Sequence, residues 1–162
     1  TPGEAKVGIL PANMFSPGRI GVIYSSGTLS YEVSINLARG SYGQSTVVGM
    51  GADPVVLRNL PDILELFEKD EGTDAVIIVG EVGGEQEEKA AGFISRKMTK
   101  PVAAYIAGRF TPQGKKMGHA GAIVRWSSGT VDAKHEALRA AGVTVLESPI
   151  DVGEFARKHK LS

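Results

Sequence analysis

The stretch Ala75-Val76-Ile77-Ile78-Val79-Gly80-Glu81-Val82-Gly83-Gly84 decides how the chain is read. Its first five residues are apolar without a break, and four of them are β-branched. A strand with one wet face alternates apolar and polar residues, whereas a strand covered on both faces runs apolar throughout. The run ends on a glycine, a carboxylate and a glycine pair, which turn the chain out of the strand. Four other stretches have the same character: Ile20-Gly21-Val22-Ile23-Tyr24, Ser45-Thr46-Val47-Val48-Gly49, Val102-Ala103-Ala104-Tyr105-Ile106 and Val143-Thr144-Val145-Leu146. Between them apolar residues recur at helical spacing over about 28 to 39, 60 to 69, 84 to 98 and 131 to 141, with a last helix near 150 to 160. The alternation predicts an α/β chain: a doubly wound sheet of five parallel strands, with right-handed crossovers placing helices on both faces.

Composition supports this reading and removes several classes of function. The 162 residues suit one domain, with 42% hydrophobic and 22% charged residues near globular averages. Eighteen basic residues balance eighteen acidic ones, so no global field favours nucleic acid or a membrane surface as partner, and binding has to come from a local site. The absence of cysteine excludes disulfides, zinc-thiolate and iron-sulfur sites and a thiol nucleophile. No apolar run reaches the roughly 20 residues of a membrane span, and Thr1-Pro2-Gly3-Glu4 has no signal-peptide character. A cytoplasmic-type location with no membrane contact is expected. Residues 1–18, punctuated by Pro2, Pro11 and Pro17, read as a linker from a preceding domain, and 19–162 as the folded domain.

Glycines gather where strands end. In doubly wound sheets ligands bind at that rim, near the point where strand order reverses. Three constellations fall there. Ser25-Ser26-Gly27-Thr28-Leu29-Ser30-Tyr31-Glu32 turns from the first strand into a helix. Its first amides and the hydroxyls of Ser26 and Thr28 suit a phosphate, although the same residues are routine helix caps. Gly80-Glu81-Val82-Gly83-Gly84 sets a carboxylate at the end of a buried strand, either for chemistry or to accept backbone hydrogen bonds in the turn. Lys115-Lys116-Met117-Gly118-His119-Ala120-Gly121-Ala122 lies in the one long connection, about 107 to 129. A neutral imidazole there is a nucleophile towards phosphorus, and Glu81 is placed to hold the proton of the opposite ring nitrogen. The alternative is an incidental loop histidine. His135 and His159 read as helix-surface residues, and Glu85-Gln86-Glu87-Glu88-Lys89 as a solvated first helical turn suited to the helix dipole.

Together and in this order, the segments resemble the carboxyl-terminal domain of the alpha subunit in the succinyl-CoA synthetase (succinate-CoA ligase) family. The resemblance covers Thr1-Pro2-Gly3-Glu4, Ser26-Gly27-Thr28-Leu29 with Tyr31-Glu32, Gly80-Glu81-Val82-Gly83-Gly84, Tyr105-Ile106-Ala107-Gly108 and Gly118-His119-Ala120-Gly121-Ala122-Ile123. It implies a flavodoxin-like fold and a reversible reaction of acyl-CoA, phosphate and nucleoside diphosphate. His119 would carry the phosphoryl group within the loop of Gly118, Ala120 and Gly121. Glu81 would hydrogen-bond the imidazole, and the helix start at Ser26, Gly27 and Thr28 would bind the phosphoryl oxygens. It also implies an N-terminal CoA-binding domain of the same chain and an ATP-grasp beta subunit, and, in a eukaryote, the mitochondrial matrix. CoA, Mg2+ and ATP or GTP would belong to the full assembly, with no cofactor held by this domain. No strand here is followed by Gly-x-Gly-x-x-Gly or a Walker loop, so the chain alone is not expected to turn over.

The sequence departs from the family at Tyr24-Ser25, where Ser-Arg is common, and at Arg109-Phe110 and Arg125-Trp126, where small residues are usual. These changes leave open a malate-CoA or other acyl-CoA ligase, or a noncatalytic docking module. A flavin-binding flavodoxin needs aromatics after the second and third strands, and those loops have none. A response-regulator receiver needs an aspartate where Glu81 stands.

Overall fold

The computed structural model describes residues 1–51, 53, 55–110 and 129–161. Its strands are β1 (Pro17–Tyr24), β2 (Gln44–Gly49), β3 (Ala75–Glu81), β4 (Val102–Ala107) and β5 (Thr144–Leu146). The helices between and after them are α1 (Gly27–Arg39), α2 (Leu60–Lys69), α3 (Gln86–Lys97), α4 (Val131–Ala140) and α5 (Val152–Lys158). Short 3-10 turns occupy Ala12–Met14 and Pro149–Asp151. Every element read from the sequence is present, with ends displaced by a few residues. Among the described residues no helix is long and apolar enough to cross a membrane.

The five strands form one parallel sheet of order β2-β1-β3-β4-β5. β3 lies in the middle and is buried along all but its last residue, which explains its unbroken apolar run. Alternate residues face opposite layers. Ala75, Ile77 and Val79 join Val33, Leu37, Val152 and Phe155 beneath α1 and α5. Val76 and Ile78 join Ile63, Leu64, Phe67, Ala90, Ile94 and Leu138 beneath α2, α3 and α4. The chain leaves β1 in one direction to form β2 and returns to the other side of β1 to form β3. The connections after β1 and β3 therefore diverge, and the crevice between their carboxyl ends is the topological switch point of the sheet.

Packing corrects two expectations. The turn Glu85-Gln86-Glu87-Glu88-Lys89 is not uniformly solvated, because Glu87 is buried and paired with the fully buried Lys134 of α4. A charge run reads as surface in sequence, but α3 packs against α4, and that contact gives one of its carboxylates an interior partner. His135 is also not a surface residue: it is 4% exposed, and burial pushes its imidazole below the usual range. His159 is half-buried, with its ring against Phe155 at 4.8 Å between centroids.

Candidate functional site

The register places the two described parts of the site side by side. Tyr24 of β1 pairs with Val79 of β3, and the Ser25 amide donates to the Val79 carbonyl at 3.0 Å. Ser26 and Glu81 thus each stand two residues beyond a paired row, on adjacent strands and at the switch point. β3 stays in register with β4 as far as Glu81 opposite Ala107. The Glu81 side chain is half-buried there.

Ser26 occupies the N-cap of α1 with extended backbone (φ −108°, ψ 119°), yet its side chain makes no capping bond. The first helical bond runs from the Ser30 amide to the Ser26 carbonyl at 3.1 Å. The amides of Gly27, Thr28 and Leu29 precede it and have no intrahelical acceptor. The caps of α2 and α4 are filled, whereas α3 and α5, like α1, have no side-chain cap bond. The Asn59 side chain accepts from the Asp62 amide at 3.0 Å, and Thr130 Oγ1 accepts from the Ala133 amide at 3.1 Å. The start of α1 therefore keeps its donors and its positive dipole end available to an anion.

Tyr24 stands beside this helix start, at the end of β1. Its ring lies over Gly49, where an added Cβ would stand 2.5 Å from the phenol oxygen. Burial, and to a lesser degree Tyr31, raises the Tyr24 hydroxyl above its ordinary pKa. Tyr31 in turn meets Phe15 edge-on at 6.1 Å, which fastens the lead-in segment to the first turn of α1.

The turn after β3 is held on both flanks. The Val82 amide donates to the Ala107 carbonyl at 2.9 Å, and the Gly83 amide to the Gly129 carbonyl at 2.8 Å. Gly83 and Gly84 both have positive φ, 95° and 59°, a backbone that glycine adopts without steric cost. The sequence anticipated these glycines as a tight turn. It missed Lys134, whose Nζ reaches Glu87, Glu88 and the Gly84 carbonyl. A signal was present, because Lys134 falls at helical spacing with Val131 and Leu138 on the buried face of α4.

His119, Gly118, Ala120 and Gly121 lie outside the described residues, as do Lys115, Lys116, Arg125 and Trp126. On the near side of that segment Arg109 is engaged elsewhere, donating to Glu147 beyond β5 at 2.7 Å; Glu147 also accepts from Arg139 at 3.1 Å. Phe110 is exposed. Among the described residues no group of three or more His, Asp or Glu side chains converges as a metal site.

A family model described as CoA-ligase matches residues 23–144. The succinate–CoA ligase [ADP-forming] subunit alpha of Aquifex aeolicus is 51% identical over 158 residues, which cover 98% of this chain and 52% of that protein. Subunit alpha 1 of the same ligase from Archaeoglobus fulgidus is 52% identical over 158 residues, covering 98% and 54%. The chain thus spans about half the length of the curated relatives it matches. Among solved structures, a mutant ATP citrate lyase of Methanosaeta concilii in complex with (3S)-citryl-CoA superposes with a TM-score of 0.81 at 31% identity, over 89% of this chain and 24% of that one. A dinucleotide-forming acetyl-coenzyme A synthetase from Ca. Korarchaeum cryptofilum shares the fold, with a TM-score of 0.66 at 22% identity over 88% of this chain and 30% of that one. A match that begins inside β1, ends on the first residue of β5 and is shared with ligase alpha subunits at this identity places the chain in the CoA-ligase family.

Proposed function

We propose that this chain is the phosphoryl-carrying part of a succinate-CoA ligase of the nucleoside-diphosphate-forming type, with His119 as the carrier. In the direction of nucleotide synthesis, phosphate attacks the thioester carbonyl of succinyl-CoA, the carbon-sulfur bond breaks, and CoA leaves as its thiol. The resulting acyl phosphate meets the neutral imidazole of His119. Its nitrogen lone pair forms a bond to phosphorus while the phosphorus-oxygen bond to the carboxylate breaks, and succinate leaves with the electron pair. A terminal oxygen of the nucleoside diphosphate then takes the phosphoryl group and returns the imidazole to its neutral form.

Two groups on this chain would stabilise the charges that develop. Glu81 would accept a hydrogen bond from the proton-bearing ring nitrogen of His119 and favour the cationic ring formed on phosphorylation. The amides at Ser26, Gly27 and Thr28 would bind the phosphoryl oxygens, and the small side chains flanking His119, at Gly118, Ala120 and Gly121, would present its imidazole without steric competition. Such transfer depends mostly on positioning and electrostatic stabilisation. The observation that carries this reading is the uncapped start of α1 beside Glu81 at the switch point of the sheet.

The relatives' names, alpha subunits of an ADP-forming ligase, support a beta subunit as partner. That subunit, of ATP-grasp type, would bring the nucleotide with Mg2+, and a CoA-binding domain ahead of residues 1–18 would bring the acyl-CoA. Among the described residues no group of three or more His, Asp or Glu side chains converges to hold the metal. The test is to assemble the ligase containing this chain with its partner subunit and supply γ-labelled ATP with Mg2+. Acid-labile, base-stable label on His119 is the expected result. No label, in an assembly whose formation is verified and beside a labelled control ligase, would reduce the chain to a docking module.

A further inference from the structure

Among the described residues, one ion pair has both side chains out of solvent: Lys134 of α4, with no exposed surface, and Glu87 of α3. Lys134 Nζ donates to Glu87 Oε2, to Glu88 Oε2 at 3.1 Å and to the Gly84 carbonyl at 3.2 Å. These three acceptors use all the donors of an ammonium group. The Glu87 carboxylate occupies the space that a Cβ at Gly80 would need. The pair therefore touches both residues that bracket Glu81-Val82-Gly83, Gly80 at one end and Gly84 at the other.

Packing alone does not call for charges here. Around the pair the α3 and α4 layer is filled by Ala90, Ala91, Ile94, Val131 and Leu138, and two desolvated charges cost more than an apolar pair of similar volume. Burial raises the Glu87 carboxyl against the opposing pull of Lys134, which is the signature of that cost. What an apolar pair lacks is a hydrogen bond to the Gly84 carbonyl. The neighbouring Gly83 amide is bound from the same side, by the carbonyl of Gly129 just ahead of α4. The start of α4 thus grips two successive residues of the turn, one through an acceptor and one through a donor.

We propose that Lys134, with Glu87 as its counter-ion, is a positioning residue: it fixes the Gly80 to Gly84 turn and thereby the Glu81 carboxylate relative to the start of α1. This rests on the phosphoryl-carrier reading above. Lys134 touches no reacting atom and acts through the turn.

The test uses the assembled ligase containing this chain, with the double variant Lys134→Met and Glu87→Leu, which removes both charges together and leaves no orphaned ion. Single-turnover phosphorylation by ATP should slow at least tenfold, with the nucleotide KM within twofold of the parent and cooperative unfolding retained. Amide exchange at Gly83 and Gly84 should accelerate at least tenfold, while exchange in β1 and β3 stays as in the parent. If the double variant does not fold, Glu87→Gln, which keeps the shape and leaves Glu88 as counter-ion, should show both effects in the same direction. A folded variant with parental phosphorylation and parental exchange overturns the proposal. If the parent itself takes no label, the phosphoryl reading fails, and amide exchange alone decides whether Lys134 holds the turn.

Discussion

The Gly83 amide donates to the Gly129 carbonyl at 2.8 Å, so the turn that ends β3 is joined backbone to backbone to the residue that leads into α4. The approach is close. Gly129 has φ +73°, and a Cβ there would stand 3.0 Å from the Gly84 carbonyl oxygen and 3.1 Å from the Gly83 Cα. Gly129→Ala combines a left-handed backbone with crowding of the turn and should cost about 1–3 kcal/mol. Urea unfolding measures this directly, and a loss below ~0.5 kcal/mol would mean that the two segments part without strain.

Ser26 and Thr130 begin α1 and α4 with the same extended backbone, but only Thr130 caps its helix. Thr130→Ala and Asn59→Ala should each cost about 1 kcal/mol, the usual value of a lost N-cap bond. Ser26→Ala removes no such bond and should cost well under half of that. In the assembled ligase the order should invert, with Ser26→Ala impairing phosphorylation more than either capping variant. An equal stability loss at all three positions would make Ser26 an ordinary cap.

Most of the fold was legible because β3 and its neighbours are buried on both faces, so their apolar runs carry the signal without help from distant residues. The same holds for the turn at Gly83 and Gly84, whose backbone conformation favours glycine. The interior of the α3 and α4 layer was not legible. Glu87 sits in a run of like-charged residues, and its partner Lys134 lies 47 positions further on, so only the three-dimensional contact separates the buried Glu87 from the half-buried Glu88 and the exposed Glu85. His135 misled for a related reason: an imidazole between charged residues in sequence reads as surface, although its helix turns it inward. For the site, residue order placed Ser26 and Glu81 just past the first strand and at the end of the third, while the adjacency of those strands and the empty cap at Ser26 are visible only in the structure.

Glu81→Gln keeps the volume and the half-buried position and removes the charge. The isosteric amide can still accept and donate hydrogen bonds, so the unfolding midpoint should stay within a few degrees. Phosphorylation of His119 should slow by ~10² or more, as for other misoriented catalytic groups. The decisive comparison is the single-turnover rate at saturating nucleotide. A rate within twofold of the parent would leave Glu81 as a turn residue and move the orienting role elsewhere.

His135 supplies a pH dependence with a definite sign. Burial first, then the Arg139 charge, lowers its pKa; Glu147 pulls against them, and Arg109, which lowers it, and Asp132, which raises it, contribute less. Its Nε2 is buried with no hydrogen-bond partner among the described residues. A depressed folded-state value means that the unfolded chain binds a proton first. Stability is then unaffected above about pH 6.5, falls as the pH drops below that, and levels off beneath the folded value. His135→Phe removes the titration and an unsatisfied nitrogen while retaining a planar ring, so at pH 7.5 it should lie within about 1 kcal/mol of the parent. Between pH 6.5 and 5 its stability should decline less steeply. Unfolding free energies measured across that window decide the matter: superimposable slopes for parent and variant would assign the acid sensitivity to other groups.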